Sequence, residues 1–147
     1  MKHLTTLLAG TFLATSFASA AMAEKWDMPM AYPATNYHSE IGAAFAACVT
    51  DATGGKLEIV THPGGSLFAG NDIKRAVQTG QAPIGERLLS AHANENPLFG
   101  VDSIPFLATS FADSDKLWAA AKESVNAALE EQNLVLVYTV MWPPQGF

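Results

Sequence analysis

An α/β fold, with a mostly parallel sheet flanked by helices, is predicted by three features of this 147-residue sequence. Segments with the two-residue alternation of strands interleave with segments of helical 3.6-residue spacing, in the order strand, helix, strand, helix, strand, irregular excursion, helix, strand. The last of these, LVLVYTVM, is a nearly unbroken apolar run rich in β-branched residues, the pattern of a strand covered on both faces. Glycine and proline clusters fall between the segments and separate them cleanly.

Residues 25–31 form the first predicted strand. Asn36 is placed to cap a helix carrying Ile41, Phe45, Cys48, Val49 and Ala52 on one face. Gly54 and Gly55 stop that helix. KLEIVTH then alternates, with Leu57, Ile59 and Thr61 on one side, and breaks at Pro63-Gly64-Gly65. Asn71 or Asp72 is expected to cap a short helix holding Ile73, Ala76 and Val77, which Gly80 ends. APIGERLLS is a third strand weakened by Pro83 and Gly85. Residues 91–110, with Pro97 and Pro105, are expected to be a packed excursion built of short turns. Ser110, with Asp113 three residues on, opens the clearest helix, whose face carries Leu117, Ala121, Val125 and Leu129 and which Asn133 can close.

The N-terminus has a separate reading. Lys2 and His3 lead into an apolar run with Leu7, Leu8, Phe12, Leu13 and Phe17, and then small residues ending in Ala21-Met22-Ala23. This is the pattern of a secretory signal peptide, residues 1–23, cut before Glu24. No later stretch is long enough to span a bilayer, so the mature chain, residues 24–147, is expected to be soluble and exported, without membrane insertion. The whole chain carries eight basic and 14 acidic residues, and loss of Lys2 leaves a net charge of −7. Such a surface repels phosphate backbones and argues against nucleic acid as a partner. The single cysteine, Cys48, cannot form an internal disulfide, and it is expected to be a small buried side chain on its helix.

Motifs for chemistry are few, and no cofactor is implied. Gly65 and Gly70 have the gap of a phosphate loop, but Asn71 and Asp72 stand where a lysine and a hydroxyl would be needed. Ser66 lacks the second glycine of a nucleophile elbow. His38, His62 and His92 with Glu86 could in principle hold zinc, as in a periplasmic hydrolase, although no two of them have tight ligand spacing. A stand-alone domain that binds only proteins is a further alternative. In open sheets of this class, ligands sit beyond the carboxyl ends of the strands. Those ends are residues 32–38, 62–66, 86–87 and 142–146. Glu86 and Arg87 interrupt an apolar strand there; either one of them meets a polar ligand, or the two form a solvated edge pair. Trp142, held by Pro143 and Pro144, has a defined place beside a strand end.

Three stretches taken together, HPGGSLFAGNDIKRAVQTGQAPIGE, NPLFGVDSIPFLATSF and LVLVYTVMWPPQG, resemble the DctP-type substrate-binding proteins of tripartite ATP-independent periplasmic (TRAP) transporters. The resemblance covers essentially all of the mature chain. It implies a periplasmic binding protein-like (type II) lobe, in a two-lobed receptor without catalysis that closes on a small organic acid, a carboxylate, and delivers it to TRAP membrane subunits. It further implies that Glu86 is an acidic pocket position, and that Tyr32 and Asn36 belong to a second pocket wall. Trp142 and Gln145 would lie where the chain approaches the second lobe. Arg87 stands where relatives often carry an apolar residue. Because family members run further and place their main carboxylate-clamping arginine beyond position 147, residues 24–147 are expected to be the N-terminal part of the domain, the first lobe up to the crossover, with the second lobe largely missing.

Overall fold

The structure is a computed structural model in which residues 23–143 are described. The expected leader, apart from Ala23, and Gln145 lie outside them. Strand β1 (Glu24–Pro29) pairs in parallel with β2 (Leu57–His62), in a register running from Glu24 opposite Leu57 to Pro29 opposite His62. The crossover between them is helix α1 (Tyr37–Ala52). Helix α2 (Gly70–Gln78) follows β2, and helix α3 (Phe111–Glu130) comes after the excursion.

Local chemistry sets most of the boundaries. The Asn36 side chain accepts the His38 backbone N–H at 3.0 Å and caps α1, and Ser110 does the same for Asp113 at 3.2 Å, so both expected caps are present. Asn133 sits at φ +60, and the Leu134 N–H turns back to the Leu129 carbonyl at 3.0 Å, which ends α3 as expected. Helix α2 differs from expectation: its cap position is Ala69, with no side-chain bond, and Asn71 is engaged elsewhere.

The buried stripe of α1 runs through His38, Ser39, Gly42 and Ala46, with Phe45 and Val49 packed beside it. Phe45 and Val49 belong to the expected face. Ile41 and Cys48, however, are exposed, so the expectation of a buried thiol is wrong. The reason is angular, since Cys48 follows Ala46 by two residues, more than half a helical turn, and so points away from the sheet.

The expected third strand is reduced to one parallel bridge, Met30 to Glu86, in which the Glu86 N–H donates to the Pro29 carbonyl at 2.9 Å. Pro83 lacks a ladder donor, which is consistent with pairing limited to that bridge. Gly85 is needed for a different reason. A Cβ there would lie 2.8 Å from Cγ2 of Ile73 and 3.0 Å from Cγ2 of Val77, so the segment can lie against α2 only without a side chain at that point. Both neighbours are β-branched and stiff. Gly85→Ala is therefore expected to destabilise the fold by about 1–3 kcal/mol through overpacking; an unchanged urea midpoint would show that α2 can withdraw freely.

Two hydrophobic clusters hold the layers together. In the first, Met28, Met30, Ala46, Ile59 and Ile84 are buried between α1 and the sheet, with Tyr138 packed against them. In the second, Phe99 inserts among Val125, Ala128 and Leu129 of α3, with Leu134 and Leu136 beside them. Residues 134–141 thus run across both clusters, but they are not paired as a strand, and only one of their faces is covered. Val135 is 80% and Val137 61% exposed, contrary to the expected strand buried on both sides. The other face is apolar in composition but meets no partner among the described residues.

The excursion folds into two 3-10 turns, Leu89–His92 and Pro97–Ser103, as the packed reading anticipated. Beyond Ser103 the packing stops: Ile104, Phe106, Leu107 and Phe111 are exposed, and Phe106 sits in the left-handed region at φ +64. A polar brace ties the first turn to α2, in which the Glu95 carboxylate accepts from Lys74 and pairs with His92 Nδ1 at 2.8 Å. The Lys74 ammonium beside it is the first cause that holds the Glu95 carboxyl below its usual range.

Candidate functional site at the strand tips

The chain leaves β1 through Met30 and turns at Tyr32. The Tyr32 carbonyl accepts from the Gly64 N–H at 2.7 Å and from the Ser39 hydroxyl at 2.9 Å, and the Gly65 N–H donates to the Met30 carbonyl at 2.9 Å. Gly64 and Gly65 both have φ of +68, a conformation that glycine adopts without steric cost, so the PGG turn after β2 folds back over the tip of β1. This fixes where the side chain of Tyr32 stands.

Around it an aromatic cluster assembles. The Trp142 indole meets the Tyr32 ring edge-on at 5.3 Å and the Tyr37 ring edge-on at 5.8 Å, and it lies 4.2 Å from the His38 imidazole. The Tyr37 hydroxyl donates to the Met141 carbonyl at 2.5 Å, anchoring the end of the 134–141 segment to the start of α1. His38 is almost wholly buried, and burial lowers its pKa, so the imidazole is neutral around physiological pH. Its Nε2 has no hydrogen-bond partner among the described residues.

Glu86 and Arg87 enter the same region. One Glu86 oxygen is buried without a partner among the described residues, and burial raises the carboxyl's pKa against the opposing effects of the Ala31 backbone N–H and of Arg87. The Arg87 guanidinium lies against Gly70, donates to Asn71 Oδ1 at 2.8 Å, and has a buried, unpartnered Nε. The two are not a simple solvated edge pair, because each has a polar atom that water does not reach. Tyr32 is raised by burial first, then pulled in opposite directions by Arg87 and Glu86, which places its hydroxyl within the field of both.

Of the six residues singled out in the sequence, Tyr32, Glu86, Arg87 and Trp142 converge on the strand tips. Asn36 is there too, but its side chain is used as the cap of α1. Gln145 lies outside the described residues. Tyr138 and the aromatic placement of His38 were missed. A lone hydroxyl inside LVLVYTVM was the only sign of the first, and the second depends on which helix face turns inward. The three histidines proposed as zinc ligands do not meet: His38 is in the aromatic cluster, His62 pairs with Asp27 at 2.8 Å, and His92 pairs with Glu95. Among the described residues no group of three or more metal-ligating side chains is gathered. No described helix is long and apolar enough to cross a membrane.

What the geometry offers is a set of unpartnered donors and acceptors beside aromatic rings, the composition of a site for a small polar molecule. The profile of the bacterial extracellular solute-binding protein family 7, DctP, matches residues 30–142. A TRAP solute-binding protein from a marine metagenome, specific for pyroglutamate and crystallised with co-purified pyroglutamate, is 70% identical with a TM-score of 0.81, over 82% of this chain and 40% of that one. DctP6 and DctP7 of Bordetella pertussis, extracytoplasmic solute receptors binding pyroglutamic acid, are 48% and 44% identical with TM-scores of 0.80 and 0.77. They are matched over 82% and 79% of this chain and 40% and 38% of theirs. The chain thus spans about 40% of the length of these relatives. The expected α/β periplasmic binding lobe is the fold observed, and the family is one of solute-binding proteins rather than enzymes. This chain belongs to the bacterial extracellular solute-binding protein family 7, the DctP family of TRAP solute receptors.

Proposed function

We propose that residues 24–147 form one wall of an extracytoplasmic receptor that captures a small organic acid, of which pyroglutamate is the first to test, and passes it to TRAP membrane subunits after export of the chain through its leader. The observation that carries this reading is that Glu86 Oε2, Arg87 Nε and His38 Nε2, three buried polar atoms without a partner among the described residues, belong to side chains that neighbour Tyr32 at the strand tips of a DctP-family lobe. Each such atom is costly unless a partner arrives, and a polar ligand supplies one. In this reading the ionised Glu86 accepts the ligand's N–H, Arg87 contributes positive charge, and Tyr32 and Trp142 flank the ring. Asn36 serves by holding the start of α1, and Gln145 lies on the approach to the opposite lobe. The principal carboxylate clamp comes from that lobe, since a planar guanidinium offers two parallel charge-assisted bonds that isolated dipoles cannot match.

Calorimetric titration with pyroglutamate tests the proposal. The chain joined to the C-terminal portion of its 70% identical relative is expected to bind at micromolar affinity or better, and residues 24–147 alone are expected to give no measurable heat. Failure of the joined protein to bind, or micromolar binding by the isolated chain, would overturn it.

A further inference from the structure

Tyr138 is unusual within its own segment. Its ring packs 4.7 Å from that of Phe45, a contact that phenylalanine could make equally well, yet its hydroxyl is buried without a hydrogen-bond partner among the described residues. It lies beside Gly42 of α1, where a Cβ would stand in ordinary contact with the Tyr138 hydroxyl, at 3.5 Å, but would clash with the Met30 sulfur, at 2.7 Å. Met30 is the bridge partner of Glu86, and side chains of laterally paired residues leave a sheet on the same face. The Tyr138 hydroxyl, the Met30 thioether and the Glu86 carboxylate therefore share the layer between α1 and the sheet. Glu86 is close enough to contribute, after burial, to pushing the Tyr138 hydroxyl up to about 12, which keeps it a donor at any physiological pH. An unpartnered donor and an unpartnered acceptor thus occupy one layer without bonding to each other.

We infer that Tyr138 is a specificity-determining residue of this site, its hydroxyl donating to the ring carbonyl of a lactam acid while Glu86 accepts from the lactam N–H. The inference rests on the functional reading given above and adds a residue and a selection rule to it. In a lactam the amide is cis, so its N–H and C=O project side by side from one edge of the ring. A hydroxyl donor beside a carboxylate acceptor matches that edge, whereas a saturated ring amine lacks the carbonyl and a hydroxy acid lacks the amide. Met30 neighbours both groups, and its unbranched side chain can swing aside to admit the ring edge. A site built to bond a particular polar group discriminates strongly against analogues lacking it, because its own buried groups are then left unpaired.

The experiment uses Tyr138→Phe in the joined receptor, with Phe45→Leu as a packing control that keeps the hydroxyl. Pyroglutamate affinity is expected to fall about tenfold or more in Tyr138→Phe, as for the loss of a buried hydrogen bond, and to stay within about twofold in Phe45→Leu. The melting temperature of ligand-free Tyr138→Phe is expected to be equal to or above that of the parent. Unchanged pyroglutamate affinity in Tyr138→Phe, or equal losses in the two variants, would overturn the inference while leaving the receptor reading intact. A parent that fails to bind pyroglutamate would overturn both.

Discussion

Replacing Glu86 by alanine in the completed receptor is expected to weaken pyroglutamate binding by roughly tenfold to hundredfold, the consequence of losing a buried hydrogen bond of about 1–3 kcal/mol to the ligand. The same substitution is expected to leave the ligand-free protein as stable as before or more so. Burial raises the Glu86 pKa in the folded chain, which means that the ionised carboxylate is disfavoured there. Its contribution to stability is therefore fullest below its unfolded pKa and declines as pH rises through the raised folded value. Alanine removes that liability near neutral pH. Binding has the opposite sense, since the ionised carboxylate is the stronger acceptor and a protonated one can turn an O–H toward the ligand N–H: affinity should hold above the raised pKa and decline as the pH falls through it. Isothermal titration across pH, together with thermal melting without ligand, separates the two effects. Unaltered affinity in Glu86→Ala would remove the residue from the site, and a large loss of ligand-free stability would reassign it to the framework.

The largest effect on folding is expected at Phe99. Its ring is 1% exposed, and it fills the space between the second 3-10 turn and the Val125, Ala128 and Leu129 face of α3. Phe99→Ala is expected to cost about 3–5 kcal/mol, the range for emptying a large aromatic site that can collapse only partly. That loss is comparable with the lower end of the total stability of a small domain. The chemical denaturation midpoint should fall sharply, and α3 should lose amide protection before the β1–β2–α1 layer, because the two hydrophobic clusters are distinct. A small shift with uniform protection would mean that α3 is held by contacts other than this cluster. Phe99→Leu should recover most of the stability, since it returns most of the apolar volume.

Much of this arrangement was legible in the residues. The caps Asn36 and Ser110, the glycines that stop α1 and α2, the alternation of Leu57, Ile59 and Thr61, and the closure of α3 at Asn133 depend on local hydrogen bonding and dihedral preference, which a short window of sequence contains. The strand tips were legible as well, because parallel α/β order dictates where the chain ends of strands gather. Glu86 and Arg87 stood out there because charges interrupting an apolar strand need a reason.

Other features required the assembled chain. The inward stripe of α1 runs through His38, Gly42 and Ala46 rather than through Ile41 and Cys48, although the latter pair is the more apolar, so hydrophobic periodicity alone pointed to the wrong edge of the face. What bears on this is the closeness of Met30, whose sulfur would lie 2.7 Å from a Cβ at position 42, so this face of the helix approaches the sheet where Gly42 leaves room. The segment 134–141 has the composition of a doubly covered strand but is covered on one face only, because composition records what a surface would prefer to meet and not what is near it.

By itself, then, the sequence determined the order β1, α1, β2, α2 and α3, the ends of most of these elements, and the edge where polar residues collect, since all of these follow from interactions between near neighbours in the chain. Only the tertiary structure decided that Tyr32, Tyr37, His38 and Trp142 form one aromatic cluster, and that the Tyr138 hydroxyl and the Glu86 carboxylate share a layer without touching. Those relations join residues as much as 110 positions apart, as Tyr32 and Trp142 are, and they depend on packing distances and side-chain volumes that no local pattern encodes.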